Sequence, residues 1–441
     1  MKIEVEVTEQ VTANLQFTTI KKLSFAPEAD LKGDSISIDQ FTADIITDKA
    51  VGISRWCWLY DDRNVLFAKY WVMSADHIDP DVLRLTAKSP LILIDQTTMP
   101  EIMYTGKSFA TIVNDIFAST GWSPGDLANR VYRIDQSFAS ATITGFCPEQ
   151  TARERLLWVC FALGAYVRTC FSQYVDILPI PVSETFIPMN KTFMRPSVTF
   201  SDWVTSLKIV YYTFRQAASE EEYSSDNNSF RFPEPWMAEE SFIEITNDYA
   251  PYGVPENPVV IEGIYLLNAD NVSAVISRLV TWYFNRTEVD LDVINNGEYK
   301  PGDKITVCVD EESIYGGYLE RCDFSFGVQA RSKLHVSAAD SVETGLLLIT
   351  YTCDDEEIGR AQFTLPAYYT YFIQNPYLDL VVQDHRIIYR PHNAAATGET
   401  YVGENHVTEP CSPALDLCDG VLEIISVDAV DVDENGVAEI D

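Results

Sequence analysis

The sequence is poor in positive charge. Lys and Arg total 31 against 66 Asp and Glu, a formal net charge of −35 over 441 residues. A nucleic-acid-binding surface needs a basic footprint to neutralise phosphates, and anionic membrane surfaces repel an acidic chain. Nucleic-acid binding and membrane adhesion are therefore not expected. Histidine is scarcer still: His77, His335, His385, His392 and His406 are the full set, and none lies in H-E-x-x-H or another short metal pattern. No apolar run approaches the ~18 residues of a membrane span. The N-terminal Met-Lys-Ile-Glu-Val-Glu-Val alternates charged and apolar residues and lacks the apolar core of a secretory signal. Cysteine is present at Cys57, Cys147, Cys160, Cys170, Cys308, Cys322, Cys353, Cys411 and Cys418. An odd count at irregular spacing is a poor disulfide framework and reads as small buried hydrophobes in a reducing cytosol. No G-x-S-x-G elbow occurs.

Apolar and aromatic residues are abundant. The hydrophobic fraction is 46%, with 23 Tyr and 22 Phe. Aromatic side chains favour strands, so a globular, mainly β protein is expected. At about 150 residues per domain the length suggests roughly three domains, large enough to bury a core without metals or disulfides. Charge is unevenly spread. Residues 336–441 hold 20 acidic and 3 basic residues, which marks them as a separate solvated unit.

Periodicity predicts the elements. Ile36, Ile38, Phe41, Ala43 and Ile45 alternate with polar neighbours, with one slip at Asp39-Gln40 of the kind a bulge produces. Further strands are expected at 55–60, 65–77 and 82–95, with turns at Asp61-Asp62 and Asp79-Pro80. The pattern changes at Thr97-Thr98-Met99-Pro100. Ser108 is placed to cap a helix through Thr120, with Phe109, Ile112, Val113, Ile116 and Phe117 on one face and Gly121 after its end. Thr151-Ala152-Arg153-Glu154 is a capping box that opens a second helix. Leu156, Val159, Cys160 and Leu163 continue its apolar stripe, and Gly164 ends it. Tyr166–Phe171, a Ser172-Gln173 turn and Tyr174–Leu178 then read as a hairpin packed on that helix. After Pro179, Pro181 and Pro188, residues 197–215 read as one long strand and 217–240 as a mobile acidic loop. A helix is expected at about 270–285, buried through Val272, Val275, Ile276, Leu279 and Trp282. Turns at Asn296-Gly297 and Pro301-Gly302-Asp303 separate strands at 304–309, 317–324 and 328–336. Residues 345–441 are again strand-like, and no internal repeat is visible.

Candidate chemistry is sparse. Gly106-Lys107-Ser108 ends like a phosphate loop, but the full pattern needs Gly where Glu101 stands. A turn feeding a helix cap explains it better. His385, His392 and His406 share a region with Cys411 and Cys418, at spacings too loose for a typical zinc motif. Asp431-Val432-Asp433-Glu434-Asn435-Gly436 resembles half a calcium loop without the bidentate acid at position twelve, and a β-hairpin accounts for it as well. The acid runs Glu220-Glu221-Glu222 and 354–357 read as solvated loops. A Cys–His pair or a carboxylate pair meeting in space stays open, but with 66 acids their presence has no diagnostic weight. No catalytic, cofactor-binding or metal-binding residue is assigned, and no cofactor is expected.

Several stretches, in order, resemble the hub proteins of phage tails, the late-control-protein-D-like hubs and tail proteins of Gram-positive prophages. They are S-I-S-I-D-Q-F-T-A-D-I-I-T from Ser35, Y-T-G-K-S-F-A-T-I-V-N-D-I-F from Tyr104, G-F-C-P-E-Q-T-A-R-E-R-L-L-W-V-C-F-A-L-G-A-Y from Gly145, Y-F-N-R from Tyr283 and E-Y-K-P-G-D-K-I from Glu298. The likeness spans residues 2–336, and order and spacing carry it, since each motif alone is structural and weak.

The resemblance implies two tail-tube-like β-barrels at 1–95 and 191–335 and inserted α+β modules at 96–190; residues 336–441 fall outside it and are expected to form an acidic accessory β-domain. It implies a virion structural protein, a homotrimeric baseplate hub assembled in the bacterial host cytoplasm. Its partners would be a tail-tube or distal tail protein on one side and a spike or tail-tip protein on the other. It would not be an enzyme and would have no membrane span. The alternatives place a cell-wall hydrolase, or a receptor- or carbohydrate-binding module, in the last hundred residues, where Tyr368, Tyr369, Tyr371, Phe372, Tyr377 and Tyr389 could stack on sugars.

Overall fold

The computed structural model describes residues 1–6, 14–121, 131–187, 191–225, 232–295, 297–309, 313–326 and 330–341. Beyond these it describes only the backbone of the strands between residues 344 and 430. The protein is mainly β. It divides into two compact units: Met1–Ser183, Val198–Lys304 and Gly317–Ala339 form the first, and Glu184–Ser197, Ile305–Gly316 and Asp340–Asp441 the second.

In the first unit the chain opens with β1 Lys2–Val5, β2 Leu15–Phe17, β3 Ile20–Phe25, β4 Gln40–Ile46, β5 Trp56–Tyr60, β6 Leu66–Asp79 and β7 Val82–Lys88. Their inward positions, among them Ile3, Phe41, Ala43, Ile45, Leu59, Phe67, Leu83 and Leu85, are fully buried. Residues 35–39, expected as strand, are not strand. β4 starts at Gln40, which pairs with Lys88, and the β4–β7 ladder runs to Ile46 without a bulge. The slip at Asp39-Gln40 is a buried acid standing just before the strand. Residues 89–95 also differ from expectation. Pro90 has no N–H for the ladder, and the short helix α1 Leu91–Asp95 follows it, burying Leu91 and Ile94 at helical spacing.

A helical module comes next: β8 Thr98–Met99, β9 Ile102–Ser108, α2 Phe109–Ala118, β10 Tyr132–Ile134, β11 Thr142–Cys147, β12 Gln150–Thr151, α3 Ala152–Leu163, β13 Ala165–Arg168 and β14 Val175–Pro179. All five apolar residues expected on α2 are buried. The capping box of α3 is formed, and Gly164 takes the left-handed conformation after it. β13 and β14 make the expected hairpin, and β10 adds in parallel to β14.

The chain continues through β15 Glu184–Ile187, β16 Ser197–Phe200, β17 Ser206–Gln216, β18 Trp236–Thr246, β19 Pro258–Ile261, α4 Val272–Phe284, β20 Thr287–Ile294, β21 Lys304–Cys308, β22 Ile314–Phe326 and β23 Ala330–Ser341. The expected long strand at 197–215 is thus two strands in two sheets. β16 pairs with β20, and β17 joins β18 and β19. The break is held by amides: Asn247 Nδ2 donates to the Val204 carbonyl at 2.8 Å, and Asn257 Nδ2 to that of Trp203 at 2.9 Å. The expected loop at 217–240 contains the short helix Glu220–Ser225 and the start of β18. α4 buries the five residues its spacing selects and covers one face of the three-stranded sheet.

One hydrogen-bonded path in this unit runs β16-β20-β23-β22-β3-β4-β7-β6-β5-β1-β2. It is open, with β16 and β2 as its ends. Strands from the N-terminal region and from residues 287–341 therefore belong to one sheet. They meet where Phe324 of β22 pairs with Phe25 of β3.

In the second unit β15 pairs with β21, and Thr306 Oγ1 donates to a Glu184 carboxylate oxygen at 2.9 Å. The region beyond Ser341 is strand-rich, as its sequence pattern suggests. β24 Thr344–Cys353 pairs antiparallel with β25 Glu356–Pro366 and with Gly420–Val430. A five-stranded meander runs from Tyr371 to Cys411.

Candidate functional site

No residue cluster expected from sequence assembles into a catalytic centre among the described residues. Gly106, Lys107 and Ser108 end β9. The Gly106 N–H donates to Thr144 Oγ1 at 3.0 Å, and Lys107 Nζ is engaged by Asp115 at 2.6 Å. A lysine already paired with α2 is not free to hold a phosphate, but the expected turn is instead the end of a strand. Ser108 does precede the helix, but its hydroxyl makes no capping hydrogen bond. Glu222, expected in a solvated run, accepts from Arg215 Nη1 at 2.8 Å and from the Ala218 N–H at 2.6 Å.

His385, His392, His406, Cys418, Asn296, Tyr368, Tyr369, Tyr377 and the calcium-loop-like segment 431–441 lie outside the described residues. Tyr371, Phe372 and Tyr389 lie in strands, and Cys411 ends one. Among the described residues no group of three or more His, Cys, Asp or Glu could hold a metal ion. Likewise no described helix is long and apolar enough to cross a membrane.

The first unit instead has a buried junction. Phe25 stacks on Phe324 with centroids 5.6 Å apart, and Phe67 meets both edge-on at 6.3 and 5.0 Å. Phe171, from the hairpin of the helical module, packs 5.1 Å from Phe67. Beside this cluster lies the buried carboxyl of Asp39. It accepts from Thr169 Oγ1, from the Tyr70 hydroxyl at 3.3 Å and from the Glu28 N–H at 3.2 Å. No cation pairs with it, so burial pushes it up to about 7 in spite of these hydrogen bonds. One acid thereby ties together the chain before β4, strand β6 and the β13–β14 hairpin.

Sequence reasoning missed this group, since an Asp in an alternating stretch reads as solvent-facing. It missed Arg155 as well. That residue is 1% exposed and donates Nη2 to the carbonyls of Pro100 at 2.6 Å and Pro148 at 3.0 Å. The one available signal was spacing, because 152, 155, 156 and 159 share a helical face.

Exposed apolar side chains mark the remaining candidate surface. Phe242 and Val260 stand on the face of the three-stranded sheet opposite α4, 58% and 50% exposed. Lys208 Nζ lies 4.1 Å from the Phe242 ring centroid. Tyr249 and Tyr252 project from the loop that follows β18. That loop is anchored at its base, where Asn247 and Asn257 exchange backbone hydrogen bonds with Thr205. At the β16 end of the main sheet, Phe200 is 58% exposed beneath the Arg286 guanidinium. The outer edges of β16 and β2 have no strand partner among the described residues. Bare edges and apolar patches suit assembly with other chains better than turnover of a small molecule.

No protein-family profile and no curated protein matches the sequence. Solved structures do resemble the fold. A tail protein of Neisseria meningitidis is 11% identical and superposes with a TM-score of 0.52, covering 76% of this chain and 95% of that one. A tail protein of a Shewanella oneidensis prophage is 10% identical with a TM-score of 0.49, over 77% and 99% of the two chains. A prophage tail protein of Listeria monocytogenes is 13% identical with a TM-score of 0.46, over 76% and 94%. At such identities the likeness concerns the fold alone. This chain thus shares its mainly β fold with the Neisseria tail protein.

Proposed function

We propose that the chain is a non-enzymatic structural subunit of a phage-type tail, a hub that joins the tail tube to a spike or tail tip. The observation that carries this reading is the fold likeness to the Neisseria tail protein, which extends over 95% of that chain. The open ends of the main sheet support it, since unpaired edge strands are aggregation-prone unless neighbours cover them.

In this reading residues 1–95 and 191–335 supply two tube-like β-barrels, 96–190 are insertions, and 336–441 form an acidic accessory domain. The hub is a homotrimer. Three copies with two tube-like regions each match a six-fold tube to a three-fold spike, and cyclic symmetry repeats one heterologous interface. The protein works in the virion tail after assembly in the host cytoplasm. The charge of −35 keeps passing DNA from adhering to a channel wall.

The test is co-sedimentation with intact tails after induction of the host particle, together with a cell-wall zymogram of the purified chain. The chain is expected in the tail fraction and no clearing in the gel. Clearing that disappears on mutating one Asp or Glu, or absence from the tail fraction, would replace this reading with that of a cell-wall hydrolase or a protein outside the tail.

A further inference from the structure

Arginines in the first unit generally have a carboxylate. Arg84 pairs with Asp44, Arg133 with Asp176, Arg153 with Asp95, Arg168 with Asp303 and Arg331 with Asp292. In a chain with more than two acids per base, that is expected. Arg155 of α3 and Arg278 of α4 break the pattern; Arg155 is sealed among the Pro100 and Pro148 carbonyls, whereas Arg278 borders a cavity. Its Nη2 donates to the Phe161 carbonyl at 3.0 Å and its guanidinium lies 5.0 Å from the Phe161 ring centroid. Its Nε is buried and has no hydrogen-bond partner. Asp30 is the one acid whose field it feels, but both Asp30 oxygens are taken by the amides of Lys32, Gly33 and Ser35.

Arg278 lines a cavity of about 470 Å³ in the same unit. Ile180, Pro181, Ala274, Trp282 and Tyr318 contribute its apolar walls, and Val182 stands 90% exposed at the rim. Asp270 also lines it, from an exposed position near the start of α4. The volume falls in the range of small-molecule sites. Arg278 is half-buried and its Nε is fully buried without a partner, and a planar guanidinium matches a carboxylate in a two-bond fork.

We propose that this cavity binds an organic carboxylate, with the acid group on Arg278 and an apolar body along Ile180, Pro181 and Trp282. The ligand supplies the directly bonded counter-charge that Asp30 does not. Burial pushes the guanidinium down to about 10, so it keeps its charge at neutral pH. Two sources fit this chemistry, a free aliphatic acid or the C-terminal carboxylate of an apolar peptide. The inference does not rest on the tail-subunit reading, and failure of either leaves the other standing.

The test is calorimetric titration of the full chain with octanoate and with acetyl-leucyl-leucine, each beside its neutral amide. At least one acid should saturate with a Kd below about 1 mM, and its amide should bind at least about tenfold more weakly. The tighter acid identifies the source. Arg278→Gln should reduce acid binding to the level of the amide, and Arg278→Lys should retain part of it. Ala274→Phe, which crowds the cavity one helical turn from Arg278 and keeps its charge, should abolish binding at an unchanged melting temperature. It keeps the test decisive if Arg278→Gln does not fold. No saturable binding of either acid, equal binding of acid and amide, or full binding to Arg278→Gln or Ala274→Phe would overturn the proposal.

Discussion

The helical module around α2 and α3 and the three-stranded sheet under α4 are built from similar apolar patterns and end in opposite states. In the module both helices and the strands beside them close on one core, from Leu91 through Phe109, Ile116, Leu156 and Val159 to Ile177. The sheet closes fully on one face and only in part on the other. Leu207, Ile209, Ile243 and Val259 pack under α4. On the other face Tyr212 and Ala238 are covered by Phe146 and Phe232, while Phe242 and Val260 stay bare. The difference teaches how far similar apolar patterns are satisfied within one unit. The module buries nearly all of its apolar surface, and the sheet leaves Phe242 and Val260 exposed.

Substitutions can break or sharpen that contrast. Ile112→Asp puts an unpaired charge at a fully buried position of the module. It should destabilise by about 5 kcal/mol or more and leave the chain insoluble. Wild-type melting of this variant would mean that the module is not closed. Arg155→Ala should cost about 4 kcal/mol, from a cavity and from the Pro100 and Pro148 carbonyls left without a donor. Denaturant midpoints at constant slope would measure it.

The third effect is a pH dependence at Asp39, between the module and the main sheet. Its carboxyl moves from the usual 3.8 to about 7 on folding. Between those values the folded chain holds a proton that the unfolded chain has released. This term is therefore fully stabilising below pH about 4, declines as pH rises and levels off above about 7. The decline is on the order of 4 kcal/mol. Asp39→Asn should remove this component from a pH series of unfolding curves, and an unchanged slope would show that Asp39 titrates normally. Smallest is the double substitution Phe242→Ser and Tyr252→Ser, on the bare surface. It should shift stability by no more than about 0.5 kcal/mol. A larger loss would place these rings in the fold's own core.

Legibility in the sequence followed the same division. α2 and α4 were readable because their apolar residues repeat at helical spacing, and every expected position is buried. The capping box and Gly164 fixed the ends of α3 through local chemistry alone. What escaped depends on partners remote in sequence. Asp39 meets Thr169 and Tyr70 only after folding, and Arg155 meets carbonyls at Pro100 and Pro148. The split of 197–216 between two sheets rests on Asn247 and Asn257, which no local pattern announces. Pro90 was a legible stop signal, and extending β7 through it overrode that signal. The absence of an assigned catalytic residue followed from motif chemistry, whereas the bare faces needed coordinates.

The central claim is a place in a tail assembly, and an averaged structure of the intact particle at side-chain resolution tests it most directly. The account predicts three copies of this chain in a ring at the end of the tail tube. Residues 1–95 and 191–335 should alternate around the channel, with the open edges of the main sheet covered by neighbours. Six or twelve copies per ring, two regions that do not share a barrel fold, or a particle without this chain would contradict it.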